Sequence, residues 1–371
     1  MLRINYYILC FGDKYLDKLI NFSLPTFFRK KPLNFDTFQH TVFIFTDETS
    51  LKKLYRRKIF NFFFNKKINC KFIDFSKDIN KKKKISVWRF LGIFQKKIIM
   101  HANKNNSLCV QIFPDEIHSI NLWSVILNKI IINDIIVLPS NEILVDYIKK
   151  DLNRLKRHKI EITENALLKI KLKFLKKSLQ ELFFNNNYYK KHSPRYYFQF
   201  RNNLYYKNIH LSPIAINPKA CMKKNLYFNF KKIYNFDTSL GNKFYNQYTI
   251  YPQEALLLSL EDKKDMSDKI FIERNIFFLF FKRIYFQLIF IIKNKDGINP
   301  FNYLKTFRVD HRHKKSFNFN IKYAINFFIF SYINFILSAL IVSTYFFFKI
   351  IKNIFFSFIP KKTQIFLDKF L

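Results

Sequence analysis

The chain has 371 residues, 49% hydrophobic and 19% aromatic, with only 4 Gly and 10 Pro; this excludes a disordered or fibrous chain and leaves room for one large domain or two smaller ones with a real core. The formal net charge of +39 favours anionic partners such as phosphates and acidic lipid headgroups. It is not by itself a nucleic-acid signature, because Lys, Asn, Ile, Phe and Tyr, the residues of A/T-rich codons, are inflated together, and 49 Phe serve no nucleic-acid contact.

The four cysteines, Cys10, Cys70, Cys109 and Cys221, have no metal-like spacing. They are expected to be free thiols in a reducing compartment, with no zinc site. The apolar run Ile4–Phe11 is interrupted by Asp13 and Lys14 and followed by no small-residue cleavage site, so it reads as a first strand and not as a signal peptide.

A break at Gly12-Asp13 is followed by helical spacing over Tyr15–Phe28. Thr41–Phe45 is a second strand, closed by Thr46-Asp47-Glu48, and the next helix is expected to be capped by Thr49 or Ser50. Cys70–Asp74 is a short strand, Lys81–Lys84 a loop-like basic run, and Trp88–Met100 a helix. Ser107–Phe113 is a strand stopped by Pro114-Asp115-Glu116, Leu122–Ile132 a helix, and Ile135–Leu138 a strand ending at Pro139. This alternation predicts an α/β fold, a mostly parallel sheet with helices on both faces. Ligands of such sheets sit beyond the carboxyl ends of the strands, and here those ends carry Asp13, Asp47, Asp74 and Asp115-Glu116. Each acid is open to two readings, a helix cap or a ligand contact.

From Asn141 the pattern turns helical and basic, with Thr163 predicted to cap a helix over 164–184 that buries Leu168, Leu172, Leu175, Leu179 and Leu182. Asn185–Lys207 is polar, aromatic and basic; His210–Ile216 and Ala255–Leu260 are short apolar runs. Ile276–Ile292 is broken by Lys282-Arg283 and reads as an amphipathic or buried helix. Phe327–Phe348 holds about 22 residues without a charge, enough to cross a bilayer. Lys322, Lys349 and Lys352 flank it on both sides and leave its orientation open. The expected division is an α/β domain over 1–265, a helical basic connector over 266–325 and an apolar membrane-associated segment over 326–371.

Phe113-Pro114-Asp115-Glu116-Ile117-His118 places two carboxylates and an imidazole within four residues after a strand. Hard oxygen ligands suit a divalent cation, Mn²⁺ or Mg²⁺, that bridges the diphosphate of a nucleotide donor, although the spacing is not Asp-x-Asp. Phe11-Gly12-Asp13-Lys14-Tyr15, then Leu24-Pro25, then Phe43–Asp47, and the Pro114-Asp115 exit with Ser119 after it, resemble the start of a bacterial family of glycosyltransferase-like proteins. His210-Leu211-Ser212-Pro213 is similar to an element that follows that family's helical middle, and the similarity runs thinly over residues 5–262. It implies a GT-A/Rossmann-like fold and transfer of a sugar from a nucleotide-sugar donor to a glycan or lipid-linked acceptor, at the cytoplasmic side of a bacterial inner membrane whose anionic surface attracts the chain. By the resemblance, Gly12, Asp13, Tyr15, Thr46 and Asp47 would face the donor, Asp115, Glu116 and His118 the metal-diphosphate, and His210 or Glu254 the acceptor. The chain departs from the family at Tyr251-Pro252-Gln253-Glu254, where an acid-rich run is expected, and lacks a glycine in the helix after Pro-Asp.

Two other readings stand beside this one. Lys190–Arg201, continuing to Lys207, interleaves cations with Tyr and Phe and would suit an RNA-associated protein, such as an organellar ribosomal component. A membrane-associated scaffold with eroded catalytic residues is the other. No Walker, RNP, KH or zinc-finger pattern occurs, nor Gly-x-Ser-x-Gly, His-Glu-x-x-His or Gly-x-Gly-x-x-Gly, so hydrolase, zinc-protease and dinucleotide-oxidoreductase readings have no support.

Overall fold

The computed structural model describes residues 1–82, 87–139, 142–144, 148, 150–151, 153, 162–170, 188–190, 195–200, 203–208, 211–223, 246–261, 270–272, 275–293, 300–304, 306–310 and 321–357. The chain opens with β1 (Leu2–Leu9), α1 (Asp13–Lys18) and α2 (Leu24–Phe27), the two helices joined through a π-turn at Leu19–Ser23. The looser turn precedes Pro25, whose ring and missing N–H do not suit an unbroken α-helix. There follow β2 (Phe38–Thr46), α3 (Glu48–Arg56), α4 (Ile59–Phe64), β3 (Asn69–Asp74), α5 (Ser76–Lys82), α6 (Val87–Lys104) and β4 (Ser107–Ile112). After these come β5 (Glu116–His118), α7 (Leu122–Lys129), β6 (Ile135–Pro139) and β7 (Glu142–Leu144). Then come β8 (Tyr188–Lys190), β9 (Arg195–Phe200), β10 (Asn203–Asn208), β11 (Leu211–Ile216) and α8 (Pro218–Lys223). The chain continues through β12 (Gln247–Thr249), β13 (Leu257–Glu261), β14 (Ile270–Ile272), α9 (Ile276–Lys293), β15 (Phe307–Asp310) and α10 (Ile321–Ser357).

The main sheet has seven strands in the order β12-β6-β11-β4-β1-β2-β3. Within it β1 is parallel to β2 and β4, and β2 to β3. β11 is antiparallel to both β4 and β6, and β6 is parallel to β12, so β11 alone runs against the rest. The sheet is covered on both faces. Ile4, Tyr6 and Ile8 pack with α1, α2, α4 and α7, and Tyr7 and Leu9 pack on the other face with α6. Burial on both sides is why β1 reads as a near-continuous apolar run. This is the α/β arrangement, mostly parallel and followed by a helical C-terminal region, shared by GT-A and Rossmann-like folds.

Beneath the first face lies an aromatic cluster. Trp123 packs edge-on against Phe28 (4.9 Å between ring centres) and Phe35 (5.5 Å). Its Nε1–H donates to the Tyr6 hydroxyl at 2.8 Å, and that hydroxyl lies 2.9 Å from Nδ1 of His40. Nε2 of His40 lies 2.9 Å from the Phe35 carbonyl, which can only accept, so Nε2 carries the proton and Tyr6 donates to Nδ1.

A second sheet, β5-β13-β7, stands beside the first. A third, β15-β10-β9, shares a separate core in which Phe198, Ile291, Tyr303, Phe327 and Phe330 join α9 and α10. Several sequence expectations change. The cap of α3 is Asp47, whose Oδ1 accepts from the Ser50 N–H at 2.7 Å, not Thr49 or Ser50. Lys81 and Lys82 end helix α5 and are not loop. Glu142–Leu144 is a strand, because its backbone pairs with β13. The basic, aromatic stretch before Lys207 contributes β8, β9 and β10. Thr163 does cap the helical stretch 164–170, accepting from the Ala166 N–H at 3.2 Å; the remainder of the expected 164–184 helix lies outside the described residues.

Candidate functional site

Because β1, β2, β3 and β4 run the same way, Gly12-Asp13, Asp47, Asp74 and Asp115 leave the sheet at one rim. The rim is tied together by backbone. Cys10 N–H donates to Phe45 O at 3.0 Å, Phe75 N–H to Thr46 O at 2.9 Å, and Gly12 N–H to Ser50 Oγ at 3.1 Å. Burial, then the charges of Asp115 and Asp47, push the Cys10 thiol far above its ordinary range. In the sheet β1 lies between β2 and β4, so the exits that carry Asp47 and Asp115 flank the exit of β1.

Gly12 has φ 76° and ψ 149°, a region essentially reserved for glycine. A Cβ built there meets nothing within 4 Å, so the backbone faces open space. Gly12→Ala and Gly12→Val are therefore both expected to cost about 1–3 kcal/mol through backbone strain and not through a clash. Urea denaturation of the pair tests this: a valine several kcal/mol worse than alanine would mean the space is filled.

The remaining donor-side residues divide. Asp13 is exposed and ion-paired with Lys53. The two line, with Asp17, Arg56, Arg57, Leu16 and Ile20, a cavity of about 340 Å³. Tyr15 is half-buried against the aromatic face, with the Lys14 ammonium 5.7 Å from its ring centre. Thr46 is buried, and its hydroxyl has no hydrogen-bond partner among the described residues. Asp47 acts as the cap of α3, so one of its oxygens already has a task. Asp74 accepts from both the N–H (2.9 Å) and hydroxyl (2.5 Å) of Ser76, which holds its carboxyl below the usual range.

Asp115, Glu116 and His118 do not form one set. Glu116 and His118 are two apart on β5 and so share a face, and that face is buried. Glu116 Oε2 lies 3.2 Å from His118 Nε2 and accepts from the Phe113 N–H at 3.3 Å. His118 Nδ1 lies 3.3 Å from Thr26 Oγ1, and Phe27 closes on the ring edge-on at 5.1 Å. Burial pulls His118 down to about 3, so it is neutral. As a preformed three-ligand metal centre these residues do not fit, because two of them are turned inward onto each other. Among the described residues no group of three His, Cys, Asp or Glu side chains comes together to hold a metal ion. Asp115 is half-buried and stands outside the pair, its carbonyl accepting from the Leu260 N–H at 2.6 Å.

On the acceptor side, Glu254 follows β12 in a turn. Its carboxylate accepts from the Tyr248 hydroxyl, and from the Tyr251 N–H at 3.0 Å. Burial and this bond push the Tyr248 phenol up to about 12. His210 lies outside the described residues. Cys10, Ser50 and Lys53 were missed as parts of the rim. Ser50 and Lys53 reach it across 38 and 40 residues of sequence, and no local motif marks such contacts.

No protein-family model matches the chain, and no curated protein matches it. Among solved structures, it is similar over 43% of its length to the crystal structure of mouse xyloside xylosyltransferase 1, apo form, at 9% identity and a TM-score of 0.30. The match spans 59% of that protein, under two thirds of its length.

Proposed function

We propose that the chain is a glycosyltransferase-like enzyme that takes a sugar from a nucleotide-sugar donor and gives it to a glycan or lipid-linked acceptor at a membrane face. The observation that carries the reading is the rim, where a glycine-only backbone facing open space leaves β1 between the strand exits that carry Asp47 and Asp115. A glycine there lets a phosphate approach the main chain. The adjoining cavity carries Lys53, Arg56 and Arg57, with Lys53 paired to Asp13 and Arg57 to Asp17 at 3.7 Å, so most of that positive charge is already countered. In this reading Asp115 faces the donor's diphosphate and sugar, and Glu116 and His118 fix the loop that carries it.

Of the aromatics behind the rival RNA reading, Phe198 and Tyr206 are buried and so do not present a face for base stacking, while Tyr205 is half-buried. The proposal predicts slow hydrolysis of a nucleotide-sugar donor by the full chain, falling about 100-fold or more in Asp115→Ala. Circular dichroism and urea midpoints are expected to stay near those of the parent. Undiminished hydrolysis in that variant removes Asp115 from the proposal, and no turnover of any nucleotide sugar by the parent removes the transferase reading.

A further inference from the structure

Polar side chains reach into the second core while large apolar ones face away from it. On α9 the buried row is Leu279, Arg283, Gln287 and Ile291, while Phe277, Phe278, Phe281 and Tyr285 are exposed. On α10 the buried row includes Phe327, Phe330, Ser331, Asn334 and Ser338, while Phe328, Ile329, Tyr332, Ile336 and Leu340 are exposed. The two helices pack against each other. Arg283, Gln287, Ser331, Asn334 and Ser338 thus share the buried side with Leu279, Ile291, Phe327 and Phe330, while large aromatic and aliphatic side chains face out, which is not the pattern of a helix pair in water.

The seam satisfies four of its polar donors from within, while the Asn334 Oδ1 has no partner among the described residues. Gln287 donates to the Tyr303 hydroxyl at 2.5 Å. Ser331 donates to Phe327 O at 2.7 Å, Asn334 to Phe330 O at 2.7 Å and Ser338 to Phe335 O at 2.9 Å. Hydroxyls and amides bonded back along their own helix, with small side chains at the crossing, suit a helix pair in hydrocarbon. An exposed apolar face of this extent in water would be an aggregation surface. Against another protein it would not need the polar groups turned away from it, whereas against lipid tails it does.

We infer that α9 and α10 form a lipid-embedded pair, with α9, despite Lys282 and Arg283, inserted beside α10 and its Arg283 turned into the seam. The residues Ile325–Tyr345 are long and apolar enough to cross a membrane by length and composition, whereas α9, 18 residues long, spans about 27 Å at 1.5 Å per residue. The occupant of the outward faces is the acyl region of a bilayer. The inference does not depend on the transferase reading.

The test uses the full chain in phosphatidylcholine vesicles with and without bromine on the acyl chains, which quenches tryptophan only at short range. Phe281→Trp and Leu340→Trp each add one reporter at an exposed position, against the parent's Trp88 and Trp123. The added emission is expected to be lost in brominated vesicles in both variants, to survive a high-salt wash, and to leave the parent's emission unchanged. Loss for Leu340→Trp alone overturns the placement of α9. Loss for neither overturns the proposal, as does quenching that high salt reverses, which would mean adsorption of a cationic surface. Equal emission in both vesicle types, accompanied by a stable dimer, would assign the face to a second copy instead.

Discussion

Stability is expected to fall steeply as the pH drops from about 6.5 towards 4, because two buried histidines are held neutral in the fold. Burial pulls His40 down from 6.5 to about 4 and His118 from 6.5 to about 3. Both are almost fully enclosed, at 4% and 0% exposure. A histidine with a depressed folded value contributes stability that is fully present above its unfolded value. That stability is lost as the pH falls towards the folded value, because only the unfolded chain takes up the proton. The slope is about 1.4 kcal/mol per pH unit for each ring, or about 5 kcal/mol for the pair between pH 6.5 and 4.5. That is comparable to the whole stability of many domains. Urea midpoints measured across this window test it, with His40→Gln and His118→Gln as controls. Each control is expected to be less stable at pH 7.5 and to lose about half of the parent's slope. A parent whose stability is flat between pH 6.5 and 4.5 would contradict the burial of both rings.

The second large effect is expected at Trp123. Its ring is 1% exposed and meets Tyr6, Phe27, Phe28, Phe35 and His40. Trp123→Ala removes that packing and is expected to cost about 3–5 kcal/mol, with a cavity left among rigid rings. Trp123→Phe keeps most of the packing but drops the donor to Tyr6, for about 1–2 kcal/mol. Trp123 and His40 act on the same hydroxyl, so Trp123→Phe and His40→Gln should not add in the double variant. Denaturation at pH 7.5 gives all of these values. A cost below about 1 kcal/mol for Trp123→Ala would mean that the cluster relaxes around the loss.

Where strands are buried on both faces, the sequence announces them as apolar runs, and β1, β2, β4 and β6 were legible for that reason. The mostly parallel arrangement was legible, but the one reversed strand was not. β11 carries the same apolar signature as its neighbours, and nothing in a one-dimensional pattern says that it runs against them. β8, β9 and β10 were hidden because Lys, Asn, Tyr and Phe are so abundant throughout that alternation loses contrast. At the site, the convergence of Gly12, Asp47 and Asp115 follows from parallel strands and was readable in advance. The pairing of Glu116 with His118 also follows from period two, but which face they take is decided by β13 and α2, distant in sequence. Asp47 was open in the sequence to both a cap and a ligand role, and the structure gives one of its oxygens to the cap of α3.

The core shared by β9, β10, α9 and α10 is assembled from two stretches separated by strands of the main sheet. Lys207 donates to the carbonyl of Tyr303, 96 positions later, at 2.7 Å, and Phe198 stacks on Phe327 at 5.4 Å. During synthesis the hairpin of β9 and β10 emerges first and has nothing to close on. At 5–20 residues per second, its partners arrive roughly 5–20 s later. Over that interval Phe198 stands without the Phe327 ring that covers it, so a truncation after β13 is expected to leave an apolar surface open to aggregation.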